Sequence, residues 1–332
     1  MPTAATAPVP VTILTGFLGA GKTTLLNHVL SGTHGVRAGV LVNDFGAINV
    51  DAQLVAGVEG DTVSLANGCV CCTIRDDLLS ACLELVRRDE PPEIVLVETS
   101  GVSDPHAVAS TFLLPELREH LFLSTIVCVV DAEQFPRLGG EQAALAHAQI
   151  RVADLVVVNK VDLVSADELE AVKALARRAA PRSRLLDARR GRVPVGVLLS
   201  DAKSAYRTSD GVEGGHDDLF ASWHWTAEDP LSLPKLRSAL EALPSTVYRC
   251  KGIVQLEELP AYRIVLQMVG KRVELIDTEP WGRTVPRSEI VALGTKDGLD
   301  ADQLSRTFEG CIGTGDVVES PVLRLARKLE LA

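Results

Sequence analysis

Aromatic side chains are scarce in this chain: seven Phe, three Trp and three Tyr make up 4% of 332 residues, and there are only two Met. A core that cannot lean on rings must be built from Ala, Val, Leu and Ile, and aliphatic β-branched runs suit the doubly buried strands of a parallel sheet. Cysteine is also sparse. Seven Cys in 332 residues cannot make a disulfide framework, which needs a dense set in a short secreted chain, so the expected compartment is the cytoplasm. Basic residues are outnumbered, with 33 Lys and Arg against 44 Asp and Glu and a formal charge of −11. That balance excludes broad, salt-dependent binding to nucleic acid or to an anionic membrane and leaves room for a local anion site. No apolar run approaches the roughly 18 residues that cross a bilayer. Met1 to Pro10 has no basic stretch, so the apolar run Val11 to Leu18 does not read as part of a signal peptide.

What is present is an alternation of short apolar runs and helical periods. At roughly 150 residues per domain the length suggests about two domains. Strands are expected at Val11 to Thr15, Gly39 to Asn43, Ile94 to Val97, Thr125 to Val130 and Leu155 to Val158, with helical periodicity at Lys22 to Leu30, Asp76 to Arg88 and Ala166 to Arg178. Ser165 and Glu168 have capping-box spacing at the start of the last helix. Buried strands alternating with helices predict an α/β domain with a mostly parallel sheet. Between about Asp201 and Ser222 the composition shifts to Gly, Ser, Asp and Lys, which reads as a linker. Beyond it a helix at Leu233 to Leu243 precedes runs at Gly252 to Leu256, Arg263 to Val269, Arg272 to Ile276 and Ile290 to Leu293, then a helix around Ala301 to Cys311. Consecutive strands without intervening helices predict a smaller C-terminal α+β domain. The expected boundaries are 1–200 for the first domain, 201–225 for the linker and 226–332 for the second.

Three motifs carry chemistry. Gly16-Phe-Leu-Gly-Ala-Gly-Lys-Thr23 fits G-x-x-x-x-G-K-[ST] between a strand and a helix. There Gly16, Gly19, Ala20 and Gly21 can turn backbone N–H groups onto phosphates, Lys22 can neutralise phosphate oxygens and Thr23 can ligate Mg²⁺. Asn159-Lys160-Val-Asp162 follows an apolar strand. A fixed carboxylate at Asp162 can accept from N1–H and the 2-amino group of guanine, donors that adenine lacks. Glu98, ending the run from Ile94, is a candidate for the Mg²⁺ shell, and Gly101 could approach the terminal phosphate through its N–H. Lys22, Thr23 and Glu98 form the expected catalytic set.

The remaining cluster is Asn67-Gly68-Cys69-Val70-Cys71-Cys72. In an extended segment Cys69 and Cys71 share a face, so their sulfurs can converge on one ion, whereas Cys72 points away unless the backbone turns. Thiolates favour Zn²⁺ or Cu(I), and an incomplete set suits transfer better than permanent structural binding. Buried inert cysteines and a redox-sensing thiol pair are the alternatives. Cys82, Cys128, Cys250 and Cys311 are isolated, and core packing is expected for each. The segment Val42 to Asp51, containing Asp44, lies where a nucleotide-ordered switch would sit.

Together these motifs resemble the CobW-like branch of phosphate-loop GTPases. The resemblance rests on Thr15 to Thr24, Val42-Asn-Asp-Phe-Gly46, Gly68-Cys-Val-Cys-Cys72, Glu98-Thr-Ser-Gly101 with Asp104-Pro105, Val130-Asp-Ala132 and Asn159-Lys-Val-Asp162, and it extends weakly through Tyr248-Arg-Cys-Lys-Gly252, Gln267 and Trp281. It implies GTP hydrolysis with Mg²⁺, a transition metal held at Cys69, Cys71 and Cys72, zinc before cobalt, and delivery to a client metalloprotein. It leaves a homodimer as one option and involves neither nucleic acid nor membrane. Two departures stand out. Asp44 replaces the Glu of many members, which shortens the reach of a metal contact, and the linker lacks their His-rich run, leaving His216 and then His224 as expected surface residues. Three other readings remain open: a cobalt chaperone for cobalamin synthesis, a redox-regulated GTP-binding switch, and a small-molecule kinase.

Overall fold

A computed structural model describes residues 8–32, 35–42, 62–64, 71–112, 114–199 and 220–313, with the backbone alone described at 62–64, 71–77, 220 and 277–279. The chain divides into two compact units, Met1–His216 and Asp217–Ala332.

In the first unit the elements run β1 (Val9–Thr15), α1 (Lys22–Leu30), β2 (Ala38–Val42), β3 (Thr62–Ser64), α2 (Cys71–Val86), β4 (Ile94–Glu98), α3 (Pro105–Thr111), α4 (Pro115–Arg118), β5 (Leu121–Asp131), α5 (Gly140–Arg151), β6 (Leu155–Asn159), α6 (Ala166–Ala179), β7 (Arg184–Asp187) and α7 (Val195–Leu199). The strands form a seven-stranded sheet in the order β3-β2-β4-β1-β5-β6-β7. Its pairings are all parallel. Strands β2, β4 and β6 are buried along their whole length, as unbroken aliphatic runs require when both faces are covered.

Local signals account for several boundaries. Helix α6 starts at Ser165, whose hydroxyl accepts from the Glu168 N–H while the Glu168 carboxylate accepts from the Ser165 N–H, the reciprocal box that the spacing predicts. Helix α3 starts at Asp104, which accepts from the His106 N–H ahead of a proline whose fixed φ suits the first turn.

Helix α2 differs from expectation. It begins at Cys71, five residues ahead of the expected start, so Cys71 and Cys72 lie in helical backbone and the alternation argument for an extended segment does not hold for them. Buried Leu78, Ala81, Cys82 and Leu85 recur at i, i+3, i+4 and i+7. That stripe docks the helix on the core, and docking outweighs the weak helix propensity of Cys and Thr in its first turn. Strands β3 and β7, of three and four residues, went unpredicted because runs so short carry too little periodicity.

The second unit contains β8 (Phe220–Ala227), α8 (Leu233–Ala242), β9 (Val247–Val254), β10 (Tyr262–Val269), β11 (Arg272–Pro280), β12 (Ser288–Thr295) and α9 (Ala301–Glu309). Its sheet, β11-β10-β9-β12-β8, is antiparallel throughout. Strand β12 alternates buried and half-buried residues at every step. Strand β8 corrects the expected linker, 201–225, because ordered strand begins at Phe220. Within it Trp223 and Trp225 are buried with His224 exposed between them, and both indoles pack on Phe308 at centroid distances of 5.4 and 5.7 Å. Aromatic alternation over so few residues was masked by the Gly- and Ser-rich stretch before it. Cys82, Cys128, Cys250 and Cys311 are all buried. Desolvation pushes the Cys82, Cys128 and Cys250 thiols up to about 12 and the Cys311 thiol to about 11, so all four pack as neutral groups.

Candidate nucleotide site and the cysteine segment

Parallel pairing brings the C-terminal ends of the central strands to one edge. In register, Ser64, Val42, Glu98, Leu14, Val127 and Leu155 form one row across β3, β2, β4, β1, β5 and β6. Glu98 stands in this row, and Asp131 and Asn159 end β5 and β6 four residues beyond it.

The loop between β1 and α1 carries the phosphate pattern. Gly16, Gly19 and Gly21 have φ of 137°, 73° and 104°, and Gly21 is the left-handed N-cap of α1. The first-turn Lys22 is 7% exposed, and its Nζ donates to the Gly16 carbonyl at 3.0 Å and to that of Phe17 at 3.5 Å. Thr23 Oγ1 donates to Glu98 Oε1 at 2.7 Å, across 75 residues of sequence. This is a charge-assisted bond to a carboxylate that is only 2% exposed. Thr24 is exposed on the next position of α1. Lys22, Thr23 and Glu98, the expected catalytic set, therefore come together at the N-terminus of α1, where N–H groups and the helix dipole favour an anion.

Asn159 takes a structural role beyond the expected one. Its side chain is 1% exposed, and its Nδ2 donates to the Ala20 carbonyl at 2.9 Å while its Oδ1 accepts from the Gly191 N–H at 2.9 Å. A Cβ on Gly21 would stand 2.3 Å from that Nδ2, so the clamp requires glycine there quite apart from its positive φ. Asn159 ties the phosphate loop to the turn Arg189–Arg192 that follows β7. Lys160 sits in the left-handed region at φ 61°, and its Nζ bonds Asp131 Oδ2 at 2.6 Å. Asp131 Oδ1 in turn accepts from the N–H groups of Glu133 and Gln134 at 2.9 and 3.1 Å. Left-handed backbone at a non-glycine residue costs roughly 1–2 kcal/mol, and the Asp131 contact helps to hold it. Asp162 is exposed in the short 3-10 turn after β6. Gly101 is buried beside the phosphate loop.

Two contributors escaped the sequence reading, and a third, Asp131, was named in the motif Val130-Asp-Ala132 without a role. Asp131 ends β5 opposite Asn159 in the ladder. Gly191 was hidden because β7 itself was missed. Gln149 lies on α5, a helix that the sequence reading did not place. Asp44 and Cys69 lie outside the described residues, as do the side chains of Cys71 and Cys72. Among the described residues no group of three or more His, Cys, Asp or Glu is arranged to hold a metal ion.

Residues 10–187 match the model of the CobW/HypB/UreG nucleotide-binding domain, and residues 220–312 match that of the cobalamin synthesis protein CobW C-terminal domain. The chain belongs to the CobW family. The first match ends with β7 and the second begins with β8. Among its relatives, a zinc chaperone CobW from a Sinorhizobium species is 30% identical, covering 87% of this chain and 93% of its own. A zinc chaperone CobW from Pseudomonas aeruginosa is 32% identical, covering 89% of each chain. A zinc-regulated GTPase metalloprotein activator 1 from Dictyostelium discoideum is 27% identical over 82% of this chain and 68% of its own. As a CobW-family protein the chain has the phosphate-loop GTPase fold in its first unit, and an antiparallel C-terminal unit follows. No helix among the described residues is long and apolar enough to cross a membrane.

Proposed function

We propose that this CobW-family protein hydrolyses GTP and uses the nucleotide state to control a transition metal, zinc foremost, which it takes up at Cys69, Cys71 and Cys72 and passes to a client metalloprotein. The observation that supports the reading is that β3, from which the chain runs on to the cysteine segment, ends at the same sheet edge as Glu98. Ser64, where the chain leaves β3 for the cysteine segment, stands in register with Val42, and Val42 with Glu98. Two strand spacings separate Ser64 from Glu98, roughly 10 Å. Movement at the phosphate end is thus passed to the chain that leads into the cysteines through two adjacent ladders.

In this reading Lys22 and the loop N–H groups bind the phosphates, and the Asn159 clamp keeps the loop in shape for them. Asp162 selects guanine by accepting from its N1–H and 2-amino donors. The paired hydroxyl of Thr23 and carboxylate of Glu98 are an oxygen donor set that fits a hard cation, so these two residues would hold Mg²⁺. When bound, that ion supplies positive charge against the phosphate oxygens. Hydrolysis is then mostly positioning and electrostatics, and slow intrinsic turnover is expected. The zinc names of the relatives support zinc over cobalt as cargo, although Co²⁺ accepts the same tetrahedral sulfur set. Client recognition is assigned to the C-terminal unit.

The test is a Zn²⁺ titration of the reduced protein, nucleotide-free, with GDP and with a non-hydrolysable GTP analogue, alongside Cys71→Ala. Zinc affinity is expected to differ at least ~5-fold between the two nucleotide forms, and by linkage zinc must change the nucleotide affinities by the same factor. Equal zinc affinity in all three forms would sink the coupling. Equal binding by Cys71→Ala would remove the cysteine site.

A further inference from the structure

We propose that Asp131 is a positioning residue for base selection: through Lys160 it holds the turn that carries Asp162. The inference rests on the guanine reading of Asp162 given above. Among the described residues two that are not glycine have positive φ, Lys160 at 61° and Arg190 at 50°. Both lie beside Asn159. Lys160 follows it in the chain, and Arg190 belongs to the turn that Asn159 Oδ1 holds through the Gly191 N–H. Strained backbone of this kind collects where a ligand is held, and it persists only where the surroundings fix it. For Arg190 the Gly191 clamp does so. For Lys160 the fixing group is Asp131.

Asp131 is itself firmly placed. It pairs with Asn159 in the parallel ladder, and the next residue, Ala132, donates its N–H to the Asn159 carbonyl at 3.0 Å. Its two oxygens have separate uses. Oδ1 accepts from the Glu133 and Gln134 N–H groups at 2.9 and 3.1 Å, a turn that an asparagine oxygen would close equally well. Oδ2 takes the Lys160 ammonium at 2.6 Å. A residue only 7% exposed carries a charge at a desolvation cost that the turn alone does not require, so the lysine pair is what a carboxylate adds there. Lys160 is likewise an unusual choice for a left-handed position, which glycine fills without strain. Glycine would leave the position untethered, because the tether is the side chain. From Lys160 the chain enters the 3-10 turn Val161–Leu163, closed by the Leu163 N–H on the Lys160 carbonyl at 3.0 Å and tied by the Val161 N–H to the Ala188 carbonyl at 3.3 Å. Asp162 stands in the middle of that turn, so the direction in which the turn presents it follows from the Lys160 dihedrals. A carboxylate that must meet N1–H and the 2-amino group together tolerates little misdirection.

Three variants test this chain of contacts. Asp131→Asn keeps the Oδ1 bonds and removes the charge that tethers Lys160, Lys160→Gly removes the tether while relieving the strained φ, and the third variant combines the two. In Asp131→Asn the preference for GDP over IDP, which lacks the 2-amino group, is expected to fall at least ~5-fold. GDP and a non-hydrolysable GTP analogue are expected to weaken by the same factor, because the phosphate end is unaltered. Lys160→Gly is expected to lose a similar share of the preference although its thermal midpoint stays within a few degrees of wild type. The double variant is expected to lose no more than either single one. An unchanged preference in Asp131→Asn would overturn the inference, and a loss confined to Lys160→Gly would make the lysine a direct contact instead. Equal weakening of GDP, IDP and ADP together with a lower thermal midpoint would also overturn it, as the mark of a packing role. A wild-type protein that binds ADP as tightly as GDP would overturn the guanine reading of Asp162, and non-additivity of the three variants toward GDP would then decide whether Asp131 acts through Lys160.

Discussion

In the seven-stranded sheet every pairing is parallel and all strands run out at one edge, whereas in the five-stranded sheet every pairing is antiparallel and successive strands run out at opposite edges. The first arrangement collects what the strands carry at their ends: Glu98, Asp131 and Asn159 are all buried there, each in a hydrogen bond to a residue from another element. The second disperses its strand ends, and two of its buried polar groups, Arg249 and Lys251, lie inside β9. Lys251 is such a group, 8% exposed in the middle of β9, in a cross-strand row with His224, Val291, Gln267 and Glu274. Strand direction thus separates a sheet that gathers a site from one whose polar groups bear on stability.

Changes at the parallel edge should remove function while leaving the second unit's folding untouched. Lys22→Ala is expected to have the largest effect, a fall of about 10²- to 10³-fold in GTP turnover, the usual loss when one preorganised charge is taken from a developing anion. Phosphate release checks it. Tryptophan fluorescence provides the control, because all three Trp, at 223, 225 and 281, lie in the second unit. A shifted fluorescence melt in Lys22→Ala would break the comparison.

Asn159→Ala comes next. It leaves the Ala20 carbonyl and the Gly191 N–H without their buried partner, at about 1–3 kcal/mol each. Part of that loss is expected as a ~10- to 100-fold weaker nucleotide affinity, measured by fluorescent GDP titration, because the loop and the 189–192 turn are no longer tied together. Unchanged affinity would mean that the clamp serves folding alone.

The smallest effect belongs to the antiparallel sheet. Burial lowers the Lys251 ammonium from 10.5 to about 7. Between those values the unfolded chain holds the extra proton, so the Lys251 contribution to stability rises with pH from about 7 to 10.5, and its penalty is complete below 7. Urea midpoints read by tryptophan fluorescence are therefore expected to rise for wild type relative to Lys251→Met between pH 6 and pH 9, with GTP turnover equal in the two proteins. A constant gap would show that the lysine stays charged through this range.

Much of the first unit was legible in the chain. Phosphate-loop spacing, the aliphatic runs and the Ser165 box are local patterns, and each appears where its period or its cap demands. In the second unit β8 alone was missed, read as linker because two tryptophans two residues apart offer too short an alternation after a Gly- and Ser-rich stretch. The start of α2 was misplaced for a related reason. The positions that anchor that helix, Leu78 to Leu85, lie a full turn or more beyond Cys71 and Cys72, whose own residue types do not announce a helix.

By itself the sequence determined which residue types stand at the strand ends and that two domains of different strand order follow one another, because period, loop spacing and composition are written over a few neighbouring residues. Only the tertiary structure decided how those residues are used. The Asn159 to Ala20 bond spans 139 residues, the Thr23 to Glu98 bond 75 and the Gln149 to Gly101 bond 48. Such bonds depend on strand order and register, which set the distance between two side chains and which no local pattern encodes.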